Sequence, residues 1–271
     1  MKDIGGRFGI NTYSYTQAMT ATACVRHLAS LGVQAVELMF YPGHIWIDAS
    51  TAERRELRDA AAASGVDILT MNTPNIDLNI AAATQEMRKL SLDINIEYLR
   101  LTGEIGARAL ILGPGKANPL FPLPKATLDG YLLAALDALL PVAEASGVEI
   151  WLENQPFSYR PDAVGLIDML GRYDKGQLRI CYDVANAHFI GEDPLEGIAQ
   201  TASRLALIHM SDTGRAAYRH DPVGQGDIDF ARLAKAVTAA TPGTPPVLEI
   251  ISEQPDEALA QSCAALEALG F

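Results

Sequence analysis

Cysteine is scarce in this chain of 271 residues: Cys24, Cys181 and Cys263 are widely separated and form no CxxC pair. An odd number at such spacing argues against a disulfide framework and offers no thiolate metal motif, so each reads as a buried apolar filler. Basic residues are also few. Lys and Arg number 21 against 33 Asp and Glu, a net charge of −12. Such a surface repels phosphate backbones, and no local basic patch overrides it, so no nucleic-acid partner is expected. Long hydrophobic runs are missing too. None approaches the roughly 18 residues of a membrane span, and Met1–Gly6 lacks the basic-then-apolar order of a signal peptide. These absences lead to the expectation of a cytoplasmic protein without a membrane partner. No Gly/Ser linker, charge run or low-complexity block divides the chain, which reads as one domain over residues 1–271.

What is present is an alternation. Short β-branched or aliphatic runs recur at Phe8–Tyr13, Ala35–Met39, Asp67–Met71, Ala109–Leu112, Glu149–Leu152, Arg179–Tyr182, Leu205–His209 and Val247–Ile250. Between them lie Ala- and Leu-rich stretches of helical spacing, such as Thr22–Ser30, Ala52–Ser64, Thr84–Ile105, Leu128–Ala145 and Phe230–Ala239. Gly32, Gly65, Gly106 and Gly147 each sit just before a strand, where a helix ends on a residue of positive φ. Eight βα units in one undivided chain predict an α/β fold, a closed (β/α)8 TIM barrel. A dinucleotide-binding open sheet is disfavoured, because the first βα turn, Asn11-Thr12-Tyr13-Ser14-Tyr15, contains no glycine.

Active sites of such barrels lie at the C-terminal ends of the strands, so the polar residues there carry the chemistry. Strand two holds Glu37, strand three ends in Asn72, and strand five closes on Glu153-Asn154-Gln155. Strand six closes on Asp183, strand seven on His209, and strand eight carries Glu249. Any one of these has an ordinary alternative, since a strand-end acid often caps the next helix and a strand-end histidine is often a satisfied core residue. Four consecutive strands ending in Glu153, Asp183, His209 and Glu249 are harder to explain that way. Three carboxylates buried together repel one another and each loses its hydration, so a cation must sit among them, and few Lys or Arg lie near in sequence. The expected partner is one divalent metal ion. Oxygen donors plus one imidazole suit Mn²⁺ first, with Mg²⁺, Co²⁺ or Zn²⁺ as alternatives.

At these residues the chain resembles the xylose isomerase-like barrel superfamily, in particular the sugar phosphate isomerase/epimerase group of ketose 3-epimerases, hydroxypyruvate isomerases, inosose dehydratases and endonuclease IV. The matching segments are Leu152-Glu153-Asn154, Tyr182-Asp183-Val184-Ala185-Asn186, His209-Met210-Ser211-Asp212, His220 through Gly226, and Leu248-Glu249. The resemblance implies that Glu153 and Glu249 bind the metal and also act as an acid/base pair on a sugar or keto-sugar, with Asp183 and His209 as ligands alone. It further implies substrate contacts from Arg215, six residues after the histidine, and from His220. A solvated loop charge and a simple turn explain those two positions equally well.

Two departures bear on the substrate. The epimerases of the group carry a histidine three residues after the strand-six aspartate, where this chain has Asn186, with His188 displaced by two. They also often carry an acid six residues after the strand-five glutamate, where this chain has Tyr159. Asn186 can hold a hydroxyl but cannot act as an acid or base near neutral pH. The extra histidines of endonuclease IV are replaced by Asn72-Thr73, Leu112-Gly113-Pro114 and Asn186, so an apurinic endonuclease is not expected.

The sequence therefore predicts a metal-dependent sugar isomerase or epimerase acting through an enediolate. A dehydratase or lyase acting on a keto-sugar or inosose is the alternative. A non-catalytic sugar-binding barrel or partner subunit is a third reading. The acidic Ser252–Asp256 after strand eight favours a free over a phosphorylated substrate, and a homo-oligomer is in keeping with the group. Tyr13, Phe40, Trp46, Phe157 and Tyr159 could form an apolar wall for a sugar ring or an aglycone, or could simply pack loops.

Overall fold

The computed structural model describes residues 4–74, 77–173, 176 and 178–271. Eight parallel strands close into a barrel in chain order: β1 Gly9–Asn11, β2 Ala35–Met39, β3 Asp67–Asn72, β4 Ala109–Leu112, β5 Glu149–Glu153, β6 Leu178–Asp183, β7 Leu205–Met210 and β8 Val247–Leu248. Closure comes from β1 pairing with both β2 and β8. The expected TIM barrel is thus the fold. Around it lie α1 Ala21–Ser30, α2 Thr51–Ser64, α3 Gln85–Ile105, α4 Lys125–Ser146, α5 Ala163–Leu170, α6 Val184–Ile190, α7 Pro194–Thr201, α8 Phe230–Ala240 and α9 Pro255–Ala268.

The helix–glycine–strand joints behave as the sequence suggests: Gly32, Gly65, Gly106 and Gly147 have φ of 84°, 67°, 91° and 67°. Helix starts are set by side chains. Ser50 and Glu53 form a reciprocal capping box on α2, and Asp162, Asp183, Asp193 and Asp229 cap α5, α6, α7 and α8. Helix α4 is long and apolar enough to cross a membrane by length and composition, contrary to the expectation that no run approaches such a span. In the fold it is one of the outer helices, packed against α3 and β5.

The barrel interior is layered. Trp151, Cys181, Leu207 and Val247 belong to one buried cluster with Ala109 and Ile111. Because strand side chains alternate, the residue two positions beyond each of those four is Glu153, Asp183, His209 and Glu249. Two irregularities set the register at that level. An extra residue, Leu69, lies between the pairs Val36↔Ile68 and Glu37↔Thr70, and an extra Ala206 lies between Ile180↔Leu205 and Cys181↔Leu207. The first brings Thr70 opposite Glu37, the second His209 opposite Asp183. All three cysteines are buried and unpaired, as expected.

Candidate metal centre and active site

Glu153, Asp183, His209 and Glu249 converge at the C-terminal mouth, each offering a ligand atom within 4.8 Å of the others, and all four are buried. His209 is central. Its Nδ1 lies 2.9 Å from Glu249 Oε2, 3.2 Å from Glu153 Oε1 and 3.8 Å from Asp183 Oδ2. On the opposite edge of the ring, Nε2 lies 3.1 Å from the Glu37 carboxylate.

Asp183 and Glu153 each spend part of their bonding capacity on the scaffold. Asp183 accepts the Asn186 N–H at 2.7 Å through Oδ1, capping α6. Asn154, fully buried, accepts the Asp183 N–H at 2.7 Å and donates to the Asp183 carbonyl at 2.9 Å, a side-chain rung joining β5 to β6. Gln155 donates to Glu153 Oε2 at 2.8 Å. Its amide has room because position 113 is glycine, where an added Cβ would stand 2.2 Å from Gln155 Oε1. Two atoms are left over: Asp183 Oδ2 and Glu249 Oε2 are buried and accept no hydrogen bond from any described residue. Buried carboxylate oxygens within 4.8 Å of one another and of an imidazole nitrogen, on a histidine whose far nitrogen is already held, match what a divalent ion with oxygen and imidazole donors requires.

Electrostatics point the same way. Loss of hydration raises Asp183 to about 7, reinforced by Glu249 and Glu153 and opposed by His220. Burial also raises Glu153, with Glu249 adding to the effect and His209 opposing it. Glu249 moves down to about 2: burial opposes this, but the His209 and His220 charges outweigh it. Burial disfavours the His209 imidazolium, yet its acidic surroundings, Glu37 and Glu249 among them, hold it well above its ordinary value.

Glu153 and Glu249 of the cluster line a cavity of about 390 Å³, whose wall also includes Asn72, Asn186 and His220 among the residues singled out in the sequence. His220 Nε2 is 2.7 Å from the Tyr218 hydroxyl, which donates to Asn186 Oδ1 at 2.8 Å. The wall does not include His188 or Arg215. His188 pairs with Asp227, and Arg215 is exposed. The aromatic residues divide: Tyr13 and Phe157 line the cavity, whereas Phe40 stacks on Tyr98 at 4.3 Å with Trp46 edge-on to the same ring. Tyr159 packs against the core.

Several site residues were assigned no role from sequence. Glu37 is wholly buried and takes hydrogen bonds from Asn11, Thr70 and Asn72 besides facing His209; a lone charge in the apolar run Val36-Glu37-Leu38 was its signal. Gln155 and Tyr218 gave none. Lys116, after the Gly113-Pro114-Gly115 turn, also lines the cavity. Burial lowers its pKa, while the nearby Asp77 charge opposes that shift.

Among known proteins, the chain is 28% identical over 170 residues to the uncharacterized protein MJ1614 of Methanocaldococcus jannaschii, covering 61% of this chain and 64% of that protein, just under two thirds of its length. A D-tagatose 3-epimerase-like protein superposes with a TM-score of 0.82 at 20% identity, covering 97% of this chain and 96% of the other. The 3-keto-D-glucoside 4-epimerase YcjR from E. coli superposes at 0.79 with 17% identity, covering 97% and 99%. Likeness at such identity shows the fold. Residues 25–269 match the family described as Xylose isomerase-like TIM barrel, and with that match over most of its length the chain belongs to that family.

Proposed function

We propose that this protein is a metal-dependent sugar isomerase or epimerase that works through an enediolate. The observation carrying the proposal is the gathering of Glu153, Asp183, His209 and Glu249, with a ligand atom of each within 4.8 Å of the others, beside a cavity that Glu153 and Glu249 line. Those four residues would hold the ion, Mn²⁺ being the best match to three carboxylates and an imidazole. When bound, the ion supplies positive charge beside the substrate's carbonyl and neighbouring hydroxyl, which lowers the barrier to removing the intervening C–H proton.

The protein's own groups do the rest. Glu153 takes the proton from carbon and Glu249 returns one, or the reverse, according to which face of the sugar is presented. Gln155 holds Glu153 Oε2, which fixes the carboxylate's orientation as the proton moves. Asn72, Asn186 and His220 face the same cavity and are positioned to hold substrate hydroxyls. His188 and Arg215, off its wall, are left out of this assignment. The structural neighbours, a D-tagatose 3-epimerase-like protein and a 3-keto-D-glucoside 4-epimerase, support a sugar substrate.

The test is incubation of the Mn²⁺-loaded protein in D₂O with a panel of ketoses, inososes and keto-glycosides. Deuterium incorporation with no loss of mass supports the proposal. Loss of one water would assign a lyase instead, and metal and ligand binding with no exchange on any compound would leave only a binding protein.

A further inference from the structure

The cavity has two chemically different halves. One part of its lining is polar, with Glu153, Glu249, Asn72, Asn186 and Lys116, whereas Tyr13, Pro74, Pro156, Phe157, Tyr218 and Ile251 make up an uncharged part. Eight large apolar side chains are exposed among the described residues, and three border this one opening: Phe157 at 63%, Ile251 at 42% and Tyr218 at 37%. Apolar surface gathered at one functional opening marks a binding face, unlike single hydrophobic residues scattered over a surface.

The aromatic part of this rim is a built corner. Phe157 and Tyr218 meet edge to face, with ring centroids 5.3 Å apart at 89°, and Phe189 backs both, at 6.2 Å and 5.3 Å. Phe157 comes from the loop after β5, Phe189 from α6 and Tyr218 from the loop after β7, so three separate segments hold the rings in place. A free ketose carries hydroxyls around its edge and offers only small C–H faces for apolar contact. A hydroxyl pressed against Phe157 or Ile251 would exchange water for no partner, which is unfavourable. An uncharged aromatic group would instead cover the rim and find offset or edge-on ring contacts. Both parts belong to one cavity, so a single molecule can span them.

We propose that the preferred substrate is a keto-sugar carrying an aromatic aglycone, with the sugar over the carboxylate cluster and the aryl group on the Phe157–Tyr218–Ile251 rim. The placement of the sugar rests on the enolisation reading above; the aryl subsite rests on the rim itself.

The experiment compares phenyl, methyl and glucosyl 3-keto-β-glucosides by calorimetric titration of the Mn²⁺-loaded protein, with deuterium exchange followed on all three. The phenyl compound is expected to bind at least tenfold tighter than the methyl one, equivalent to about 1.4 kcal/mol. Phe157→Ala, a change at a largely exposed site, brings that ratio to about threefold or less, while Leu90→Ala, outside the cavity, leaves it as in the wild type. A phenyl-to-methyl ratio near one, or tighter binding of the glucosyl compound, overturns the proposal. Exchange on the methyl compound with a ratio near one removes the aryl subsite and leaves enolisation standing. Tight phenyl binding with no exchange on any compound keeps the subsite and removes enolisation.

Discussion

The Glu37 carboxylate stands 3.1 Å from Nε2 of His209, on the opposite side of the imidazole from the three acidic ligands. Glu37 can only accept there, so it holds the proton on Nε2 and leaves Nδ1 as the lone-pair nitrogen whenever the ring is neutral. Its remaining capacity is filled by Asn11, Thr70 and Asn72, which makes it a positioning residue in a fully bonded pocket. Glu37→Gln, nearly isosteric, is expected to weaken Mn²⁺ affinity by about 10- to 100-fold. Competition titration against a chelator of known affinity measures this, and a Kd within twofold of wild type would refute the tautomer argument.

Glu153→Gln and Glu249→Gln should each reduce hydrogen exchange at the sugar carbon by about 10²-fold or more, the scale of a lost general acid or base. Metal content must be measured on the same samples, since both residues are also assigned as ligands. Full exchange activity in both variants at equal metal loading would end the proton-shuttle assignment.

Metal binding and stability should depend on pH with a definite sign. Asp183 is raised to about 7 by lost hydration and by the neighbouring glutamates, so the metal-free folded state keeps a proton that the unfolded chain gives up near the ordinary carboxylate value. That difference favours the folded state at low pH and fades as pH rises through about 7. The raised His209 adds the same trend, its contribution lost as pH climbs past its folded value. The depressed Glu249 acts only near pH 2 to 4, outside this window. The metal-free protein should therefore lose Tm between pH 5 and 8, and the gain in Tm on adding Mn²⁺ should grow over the same interval as protons are displaced. A metal-induced shift that stays flat from pH 5 to 8 in thermal melts would count against the cluster as the binding site.

Asn154→Ala removes both hydrogen bonds to the Asp183 backbone inside the barrel wall and leaves a buried N–H and a buried carbonyl without those partners. The expected destabilisation is about 1–3 kcal/mol, readable in urea unfolding of the metal-free protein. Asn154→Asp keeps the acceptor and loses the donor, so it should not restore stability.

The barrel was legible because its evidence is periodic: β2 and β4 fall at the residues their sequence patterns indicate, and the four proposed ligands close four successive apolar runs. The shorter elements were harder to read. Helix α6 has seven residues and begins directly on a ligand, and α7 opens on Pro194 and contains Gly197, so neither shows a long amphipathic stripe. Lateral relations at the site were not legible at all. That Glu37 meets His209, or that Tyr218 bridges His220 and Asn186, depends on barrel closure and on the two register irregularities, which bring together residues up to 172 positions apart. The aromatic candidates divided for a similar reason: a strand-end ring points to cavity or core according to its loop's course, and Phe40 and Phe157 took opposite courses.

Asp183 answers to two neighbours at once, with Oδ1 committed to the first turn of α6 and Oδ2 left for the cluster. This narrows what evolution or an engineer can place there. Asparagine satisfies the helix but brings no negative charge, and glutamate brings the charge on a longer arm that no longer reaches its own helix start. Aspartate is the short charged side chain that meets both demands, so position 183 should resist even the conservative exchanges that a metal ligand on a loop would tolerate.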